Sequence, residues 1–374
     1  MLTGLYIDNY KSFVNLNLGF ENLNLLLGSN GSGKTSVLDV LSAIQKLLSG
    51  TAKVADGDIF PSSTLTRWQS LHFQTFTLSA TLNNENYVYH LLIAHPNAYA
   101  EGPSKSQVRQ EVLSVNGRSL FHFEDGEVTL FKDADSGRSN YSADWSESAL
   151  ARVPAHRKEH QNLIRFREFI QNIIICKIEP LHFVSDAVSE DAMLAKNGSN
   201  FACWYRHLVQ ENAELLSEYF NEIQHVIDGF KSIRLEKAGV ETRIMKIKFE
   251  HMDQSYELQL NELSDGQRVL LVLYAFIYFS AHHSQIIILD EPDNFIALSE
   301  IQPWLMALKD KLEEGLSQVI ICSHHPELIN YLGKDAGILL NRENGGLTTV
   351  KSVAELTLQE DALPLSERFA RGWI

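Results

Sequence analysis

The stretch Gly28-Ser29-Asn30-Gly31-Ser32-Gly33-Lys34-Thr35 fits the pattern G-x-x-x-x-G-K-[ST] of a phosphate-binding loop. Its glycines let the backbone turn tightly, so that several N–H groups point inward at phosphate oxygens. In such a loop Lys34 reaches the β- and γ-phosphates of a nucleotide, and the Thr35 hydroxyl binds Mg²⁺. The residues predicted to contact the nucleotide here are Asn30, Gly31, Ser32, Gly33, Lys34, Thr35 and Ser36.

The sequence on both sides supplies the context that this loop needs. Residues 22–27 form a short apolar stretch that predicts a strand. From Lys34 onward, apolar residues recur at helical spacing: Val37, Leu38, Leu41, Ile44 and Leu48. The positive end of the helix dipole then lies beside the loop and favours a bound anion. A chance glycine-rich loop is the alternative, and it does not explain this order of strand, loop and helix.

Composition excludes several classes of protein. The chain has 374 residues, of which 44% are apolar, and two domains or lobes are expected. Its net charge of −15 argues against a surface that grips nucleic acid all over. Three cysteines without metal-ligand spacing indicate a reducing compartment, which we take to be the cytoplasm. The apolar run 269–279 is too short to cross a bilayer and predicts a buried helix, and no secretory signal is visible.

The first two thirds of the chain predict a β-rich part followed by a helical part. Residues 2–10 and 14–20 alternate as strands around the turn 9–13, where Lys11 is a candidate nucleotide contact. Residues 70–131 predict an antiparallel meander, with a hairpin turn at Asn116-Gly117. Residues 132–145 are expected to be a loop. Helices are expected over 149–175 and 199–230, and three strands over 231–260.

The helical segment that begins near residue 149 also carries the best candidate surface for nucleic acid. Its basic residues are Arg152, His156, Arg157, Lys158, Arg165 and Arg167. A local basic stripe of this kind is compatible with the acidic total. The alternative is a solvated face without a ligand.

The last third predicts a parallel sheet that ends in functional residues. The apolar runs 286–289 and 318–322 are each followed by polar residues and then by a helix, which is typical of buried parallel strands. The first ends in Asp290-Glu291 and the second in Ser323-His324. Ligands bind beyond the carboxyl ends of such strands.

These residue types suit nucleotide hydrolysis. Asp290 stands where a carboxylate meets Mg²⁺ in phosphate-loop enzymes, and Glu291 can polarise an attacking water. His324 can donate to a γ-phosphate. Ser264 and Gly266 precede a helix over 266–280, whose N-terminus can hold an anion. Each of these residues also has a structural interpretation. The acidic pair and Ser264 could be helix N-caps, and the histidine could have a structural role. The presence of the phosphate loop favours the functional interpretation.

Taken together, these motifs resemble the ABC-type ATPase head family. The stretch 263–267 is similar to the LSGGQ signature, with Asp265 in place of a glycine. Residues 286–291 resemble the Walker B motif with its catalytic glutamate, and His324 resembles the switch histidine. The turn 9–13 resembles that of the non-transporter branch that holds SMC, RecF and OLD-type ATPases. The resemblance covers about 1–50 and 255–374.

The resemblance implies an α/β head with a mixed β-sheet core, an antiparallel β-rich insertion and a helical lobe. The resemblance divides the chain into an N-terminal ATPase lobe with the phosphate loop and the β-rich insertion (1–145), a helical lobe (146–230) and a C-terminal ATPase lobe with the signature, Walker B and switch histidine (231–374). It implies ATP and Mg²⁺ as ligands and a homodimer that sandwiches two ATP molecules. Ser264, Gly266 and Gln267 would then contact the ATP that the second subunit holds. The glutamine that senses Mg²⁺ would be Gln74, with Gln69 and Gln161 as alternatives.

The same resemblance frames the biological role. Heptad periodicity for a long coiled coil is missing, and residues 325–374 are too few for the TOPRIM nuclease domain of OLD proteins. The leading hypothesis is a stand-alone ATPase that dimerises on ATP and controls a separate nuclease or toxin-like effector in anti-phage defence, with no membrane partner. Two alternatives remain at this point: a RecF-like clamp that binds DNA, and an ATP-bound scaffold that does not hydrolyse.

Overall fold

The computed structural model describes residues 1–96, 104–133, 137–156, 158–280, 285–356 and 363–372. The chain divides into two compact units, each assembled from separated stretches. Unit 1 comprises Met1–Glu21, Leu27–Ile173 and Ile338–Leu356, and unit 2 comprises Asn22–Leu26, Ile174–Gly337 and Thr357–Ile374. The sequence predicts a division at residues 145 and 230. This division stays a prediction, because each compact unit combines stretches that are far apart in the sequence.

Unit 1 is built on an eight-stranded antiparallel sheet. Numbered along the whole chain, its strands are β1 (Leu2–Asp8), β2 (Leu16–Gly19), β4 (Phe73–Leu82), β5 (Glu85–Ala94), β6 (Gln107–Val115), β7 (Arg118–Glu124), β8 (Glu127–Phe131) and β9 (Arg138–Ser142). Their order in the sheet is β2-β1-β4-β5-β6-β7-β8-β9. A hairpin consists of β17 (Gly337–Arg342, of which Gly337 belongs to unit 2) and β18 (Thr348–Ser352).

The predicted antiparallel meander is confirmed, and its tight turns explain its register. Asn116 and Gly117 both have positive φ, 49° and 79°, as a two-residue hairpin turn requires. The loop expected over 132–145 is wrong in part, because β9 pairs with β8 there. All five residues of β9 are exposed, so no apolar alternation marked it in the sequence. Residues 134–136 lie outside the described chain.

Two helices of unit 1, α1 (Lys34–Leu48) and α2 (Gln161–Gln171), pack together. The Gln45 amide of α1 donates to the carbonyls of Ile170, at 3.1 Å, and Ile173, at 2.6 Å, and so closes the end of α2. The expected helix over 149–175 is therefore wrong in its first half. Residues before α2 instead form short 3₁₀ turns, because the buried Glu111 carboxylate and the Arg167 guanidinium bind their backbone.

Unit 2 contains four parallel strands and most of the helices. The strands are β3 (Leu23–Leu27, of which Leu27 belongs to unit 1), β10 (Ile174–Cys176), β15 (Ile286–Asp290) and β16 (Gln318–Cys322), in the order β10-β15-β16-β3. Its helices are α3 (Phe201–Glu211), α4 (Leu216–Val226), α5 (Asp265–Phe279), α6 (Leu298–Glu314), α7 (Pro326–Ala336) and α9 (Leu365–Ala370). The short helix α8 (Val353–Leu356) belongs to unit 1.

The apolar runs of unit 2 lie where their composition predicts. β15 and β16 are buried along their whole length, as strands covered on both faces must be. Residues 269–279 of α5 are all buried, which confirms the predicted internal helix. The three strands expected over 231–260 are β12 (Phe230–Lys237), β13 (Arg243–His251) and β14 (Gln254–Gln259), and a two-residue strand, β11 (Asp186–Ala187), also pairs with β13.

The lengths of the helices and the state of the three cysteines bear on the expectations from composition. Within the described ranges, no helix has the length and apolarity needed to cross a bilayer. The longest of these helices, α6, has 17 residues. Cys176, Cys203 and Cys322 are free thiols, and all three are buried.

A buried polar cluster ties β4, β5 and the first turn of unit 1 together. His95 Nε2 lies 2.9 Å from Gln74 Oε1, and its Nδ1 lies 3.0 Å from Ser106 Oγ. Gln74 Nε2 in turn donates to the Asn9 carbonyl at 3.0 Å. A neutral imidazole satisfies both of its contacts, since it donates to the amide oxygen and accepts from the hydroxyl. Burial, with a smaller contribution from His72, lowers the pKa of His95 to about 4.

The depressed pKa of His95 predicts how stability depends on pH. The unfolded chain takes up the proton near pH 6.5 and the folded chain only near 4, so the stabilisation is present above about 6.5 and is lost as the pH falls toward 4. The full effect is about 3 kcal/mol. We expect His95→Gln to flatten the unfolding free energy between pH 7 and 4 in denaturant titrations. His251→Gln, at an exposed position, should keep the wild-type slope, and an unchanged slope in His95→Gln would contradict the assignment.

Candidate functional site

The phosphate loop of unit 1 has a shape that only glycine permits. Gly28, Gly31 and Gly33 have φ values of 147°, 80° and 111°. A Cβ at Gly33 would lie 2.4 Å from the Phe13 ring, and one at Gly28 would lie 2.3 Å from the Leu340 carbonyl oxygen. Both conformation and space therefore require glycine at Gly28 and Gly33, and the turn 9–13 packs directly on the loop.

Lys34 and the start of α1 provide the charge that a phosphate requires. The Lys34 side chain is buried, and its Nζ donates to the carbonyls of Gly28, at 2.6 Å, and Ser29, at 3.3 Å, across the loop. The described residues Lys34–Leu48 form a helix that begins without a side-chain cap and has no acidic residue in its first turn. An uncapped N-terminus beside a lysine is suited to an anion. Asn30 and Thr35 are exposed beside it.

Two residues from a distant part of unit 1 support the loop. Thr348 Oγ1 in β18 donates to the Ser32 carbonyl at 2.9 Å and lies within hydrogen-bond distance of Ser12 Oγ, at 2.8 Å. Arg342 Nη1 in β17 donates to the Gly31 carbonyl at 3.4 Å. Sequence reasoning missed both Thr348 and Arg342, since nothing in the local pattern connects residue 348 with residue 12.

Lys11 and the candidate magnesium-sensing glutamines also lie in unit 1. Lys11 Nζ forms an ion pair with Asp39 of α1 at 3.1 Å, so the turn 9–13 is tied to the helix that carries the loop. Gln74 lies in the buried polar cluster, where both amide atoms have protein partners. Gln69 Oε1 is buried and, among the described residues, has no hydrogen-bond partner. Gln161 begins α2. The choice of a magnesium-sensing glutamine stays a prediction.

In unit 2, Asp290 and Glu291 leave the end of β15 in a fixed conformation. Asp290 is 3% exposed. Glu291 has a φ of 50°, which is costly for a residue with a side chain. Its N–H donates to the Cys322 carbonyl at 2.8 Å, and its Oε2 accepts from Asn294 Nδ2 at 3.1 Å. A strained backbone held by two contacts aims this carboxylate in one direction.

The adjacent histidines of unit 2 have different roles. His325 Nδ1 accepts the Glu327 N–H at 3.2 Å and caps α7. His324 is more exposed, and its Nδ1 lies 3.4 Å from Glu291 Oε1. Lys177, which follows β10, lies 3.9 Å from Asp290 and 4.0 Å from Glu291. We call Lys177, Asp290, Glu291 and His324 the carboxylate cluster.

The signature-like stretch caps α5 in unit 2. Ser264 Oγ accepts the Gln267 N–H, and Gln267 Oε1 accepts the Ser264 N–H, so the two residues form a capping box. Asp265, which replaces a glycine of the signature, pairs with Arg268 at 2.9 Å, and this pairing offsets its charge. A Cβ at Gly266 would lie 2.8 Å from the Phe295 carbonyl oxygen, so close approach requires glycine there.

The basic segment is largely used within unit 1. Arg152 pairs with Glu147, and Arg165 lies 3.4 Å from Glu85. Arg167 is buried and donates to three backbone carbonyls, those of Leu150, Ala151 and Val153. Arg157 lies outside the described residues. These contacts favour a structural role for the basic segment over a role in binding the phosphate backbone of a nucleic acid.

Comparisons with known proteins agree with this geometry. A family model described as "AAA domain, putative AbiEii toxin, Type IV TA system" matches residues 23–330, which is most of the chain. The chain belongs to this family. The matched range contains the phosphate loop together with Asp290, Glu291 and His324. A search of curated protein sequences gave no significant match.

Solved structures show the fold of this AAA domain. An SMC head bound to the C-winged helix domain of ScpA is 11% identical with a TM-score of 0.59, over 95% of this chain and 99% of that one. An SMC head with an extended coiled coil, bound to the C-terminal domain of ScpA derived from Pyrococcus furiosus, is 11% identical with a TM-score of 0.53, over 95% and 97%. The predicted ABC-type head fold is confirmed.

Thr348 offers a test of how the phosphate loop is held. We expect Thr348→Val to leave the Ser32 carbonyl without this buried donor and the Ser12 hydroxyl without this partner, at a cost of about 2 kcal/mol. The thermal midpoint should fall by a few degrees, and affinity for a fluorescent ATP analogue should fall by about tenfold. Thr349→Val is the matched control, because Thr349 is exposed and its hydroxyl donates within the hairpin, to the Asn341 carbonyl. Equal affinities in the two variants would show that the hairpin does not support the loop.

Proposed function

We propose that this protein binds and hydrolyses ATP, forms a dimer when ATP is bound, and thereby controls a separate effector. The observation that carries the proposal is the strained, doubly held Glu291 directly after the buried Asp290. Strained backbone conformations of non-glycine residues cluster at functional sites. The phosphate loop of unit 1, with its obligatory glycines and buried Lys34, supplies the complementary observation.

The residues present fit ATP and Mg²⁺. A tight loop without room for side chains, a lysine and an uncapped helix N-terminus suit the phosphates. The Thr35 hydroxyl and the Asp290 carboxylate each offer Mg²⁺ the oxygen ligand that it prefers. Bound there, the ion would neutralise charge on the phosphates.

The hydrolytic step is assigned to the carboxylate cluster. Water attacks the γ-phosphorus, the bond from the γ-phosphorus to the bridging oxygen breaks, and ADP leaves with that oxygen. Glu291 orients the water and accepts its proton, and His324 donates a hydrogen bond to the γ-phosphate. Lys34 stabilises the charge that accumulates on the leaving phosphate.

A second copy of the chain would complete each nucleotide site. We assign Ser264, Gly266 and Gln267 to the ATP held by the other subunit, in an isologous dimer with two ATP molecules. The capping box and the Asp265–Arg268 ion pair support this role, since they order the helix N-terminus and offset the one carboxylate beside it. ATP then stabilises the dimer and hydrolysis releases it.

The family description supports a role for this ATPase in a toxin-like or anti-phage system. The family description names a toxin and a type IV toxin–antitoxin system, and we infer a nuclease or toxin-like partner on that basis. The two SMC heads were solved with a domain of ScpA bound, which supports a protein partner for this chain. The buried free thiols fit a reducing, cytoplasmic setting.

Glu291→Gln tests the assigned chemistry. The amide keeps the shape of the side chain but cannot accept the proton, so hydrolysis should slow by about 100-fold or more. ATP binding should persist, and the ATP-bound dimer should accumulate on size-exclusion chromatography. Glu313→Gln, on the surface of α6, should hydrolyse ATP at the normal rate. Normal turnover in Glu291→Gln would refute the mechanism.

The effector is tested by capture from the native host. Tagged Glu291→Gln with Mg-ATP should hold the dimer closed and retain a stoichiometric nuclease or toxin-like protein, which Lys34→Ala should not retain. Recovery of DNA without any protein partner would instead favour the clamp hypothesis, and salt-sensitive DNA binding that is lost in Arg165→Ala would support it.

A further inference from the structure

Lys177 brings a positive charge to the two carboxylates of the cluster. β10 runs parallel to β15 with Cys176 opposite Leu289, so the next residues along the two strands, Lys177 and Asp290, reach the same level. Lys177 Nζ lies 3.9 Å from Asp290 Oδ2 and 4.0 Å from Glu291 Oε2. These are ion-pair separations, longer than hydrogen bonds, and one ammonium spans both carboxylates.

The backbone of Lys177 is fixed, whereas its side chain is free to change partners. Its N–H donates to the Lys196 carbonyl at 2.7 Å, and the Glu179 N–H donates to the Asn197 carbonyl at 3.0 Å. The preceding Cys176 is buried. The Lys177 side chain, by contrast, is 41% exposed, so its ammonium can leave one carboxylate without moving the strand.

The charges of the cluster explain what the ammonium does. Asp290 is 3% exposed, and a buried carboxylate beside a second one is destabilised by lost hydration and by repulsion. Lys177 offsets part of both effects. A divalent metal that binds Asp290 offsets the same charge, and two cations at one carboxylate repel each other. Lys177 and the metal therefore compete.

We propose that Lys177 is a positioning residue that holds Asp290 and Glu291 while the metal is absent and lowers the apparent metal affinity by competing with it. This inference rests on the proposed function, since it takes Asp290 as a metal ligand. Lys177 would make release of the metal after hydrolysis easier, because its ammonium can take the place of the metal ion beside Asp290. The residue acts through the carboxylates and needs no contact with ATP.

The test measures metal binding rather than turnover. The full chain is mixed with a smaller amount of adenylyl imidodiphosphate, so that the nucleotide is bound. Mn²⁺ is then titrated in, and the concentration of free Mn²⁺ is measured by electron paramagnetic resonance. Lys177→Met and Lys177→Gln should bind Mn²⁺ roughly fivefold more tightly, as loss of a part-exposed ion pair implies. Lys177→Arg keeps the charge and should stay near wild type. The matched control is Lys231→Met, since Lys231 forms an exposed ion pair with Glu250.

Each outcome decides between the two proposals. Unchanged Mn²⁺ affinity in both neutral variants would overturn the competition and leave the ATPase assignment intact, since the metal still binds. Weaker affinity would also overturn it and would make Lys177 a ligand of the phosphates. No Mn²⁺ binding by the wild-type chain would refute the proposed function and this inference with it. Thermal midpoints near wild type establish that each variant is folded.

Discussion

The register of three parallel strands decides which charges meet in unit 2. β10, β15 and β16 are apolar and buried, and Cys176, Leu289 and Ile321 lie side by side near their carboxyl ends. The polar residues that follow must then emerge at one edge of the sheet, where Lys177, Asp290, Glu291 and His324 come together. The apolar strands need burial on both faces, and the charged residues need water or partners. One edge satisfies both demands, and the carboxylate cluster is the result.

A second constraint acts in unit 1, where the backbone of the phosphate loop packs closely against neighbouring residues. The phosphate loop contacts Phe13 and Leu340 so closely that a single added carbon atom would collide with either. Such tightness leaves N–H groups, rather than side chains, to line the loop. The hairpin of β17 and β18 secures it through Thr348 and Arg342. Precision at the loop therefore depends on residues from the other end of the chain.

Much of this could be predicted from the sequence because the signals are local. The phosphate loop, the strand that ends in Asp290 and the turn at Asn116-Gly117 each carry their pattern within about ten residues. The supporting contacts do not. Thr348 is 336 residues from Ser12, and Lys177 approaches Glu291 only through strand pairing. Such partners depend on register, which a single sequence does not display.

Two local predictions failed or stayed open for physical reasons. The helix expected from residue 149 gives way because Glu111 and Arg167, on other elements, bind its backbone instead. Adjacent His324 and His325 look alike in sequence, and only the cap on α7 separates them. The glutamine that senses Mg²⁺ stays a prediction, since Gln74 already has protein partners for both amide atoms.

The central claim is that one copy of the chain cannot complete hydrolysis alone. The most direct measurement is specific ATPase activity against protein concentration, for wild type and for Ser264→Arg. The account predicts that wild-type specific activity rises with concentration as dimers form and that Ser264→Arg is inactive throughout. Constant specific activity down to the lowest concentration, unaffected by Ser264→Arg, would contradict it, because a single copy would then suffice.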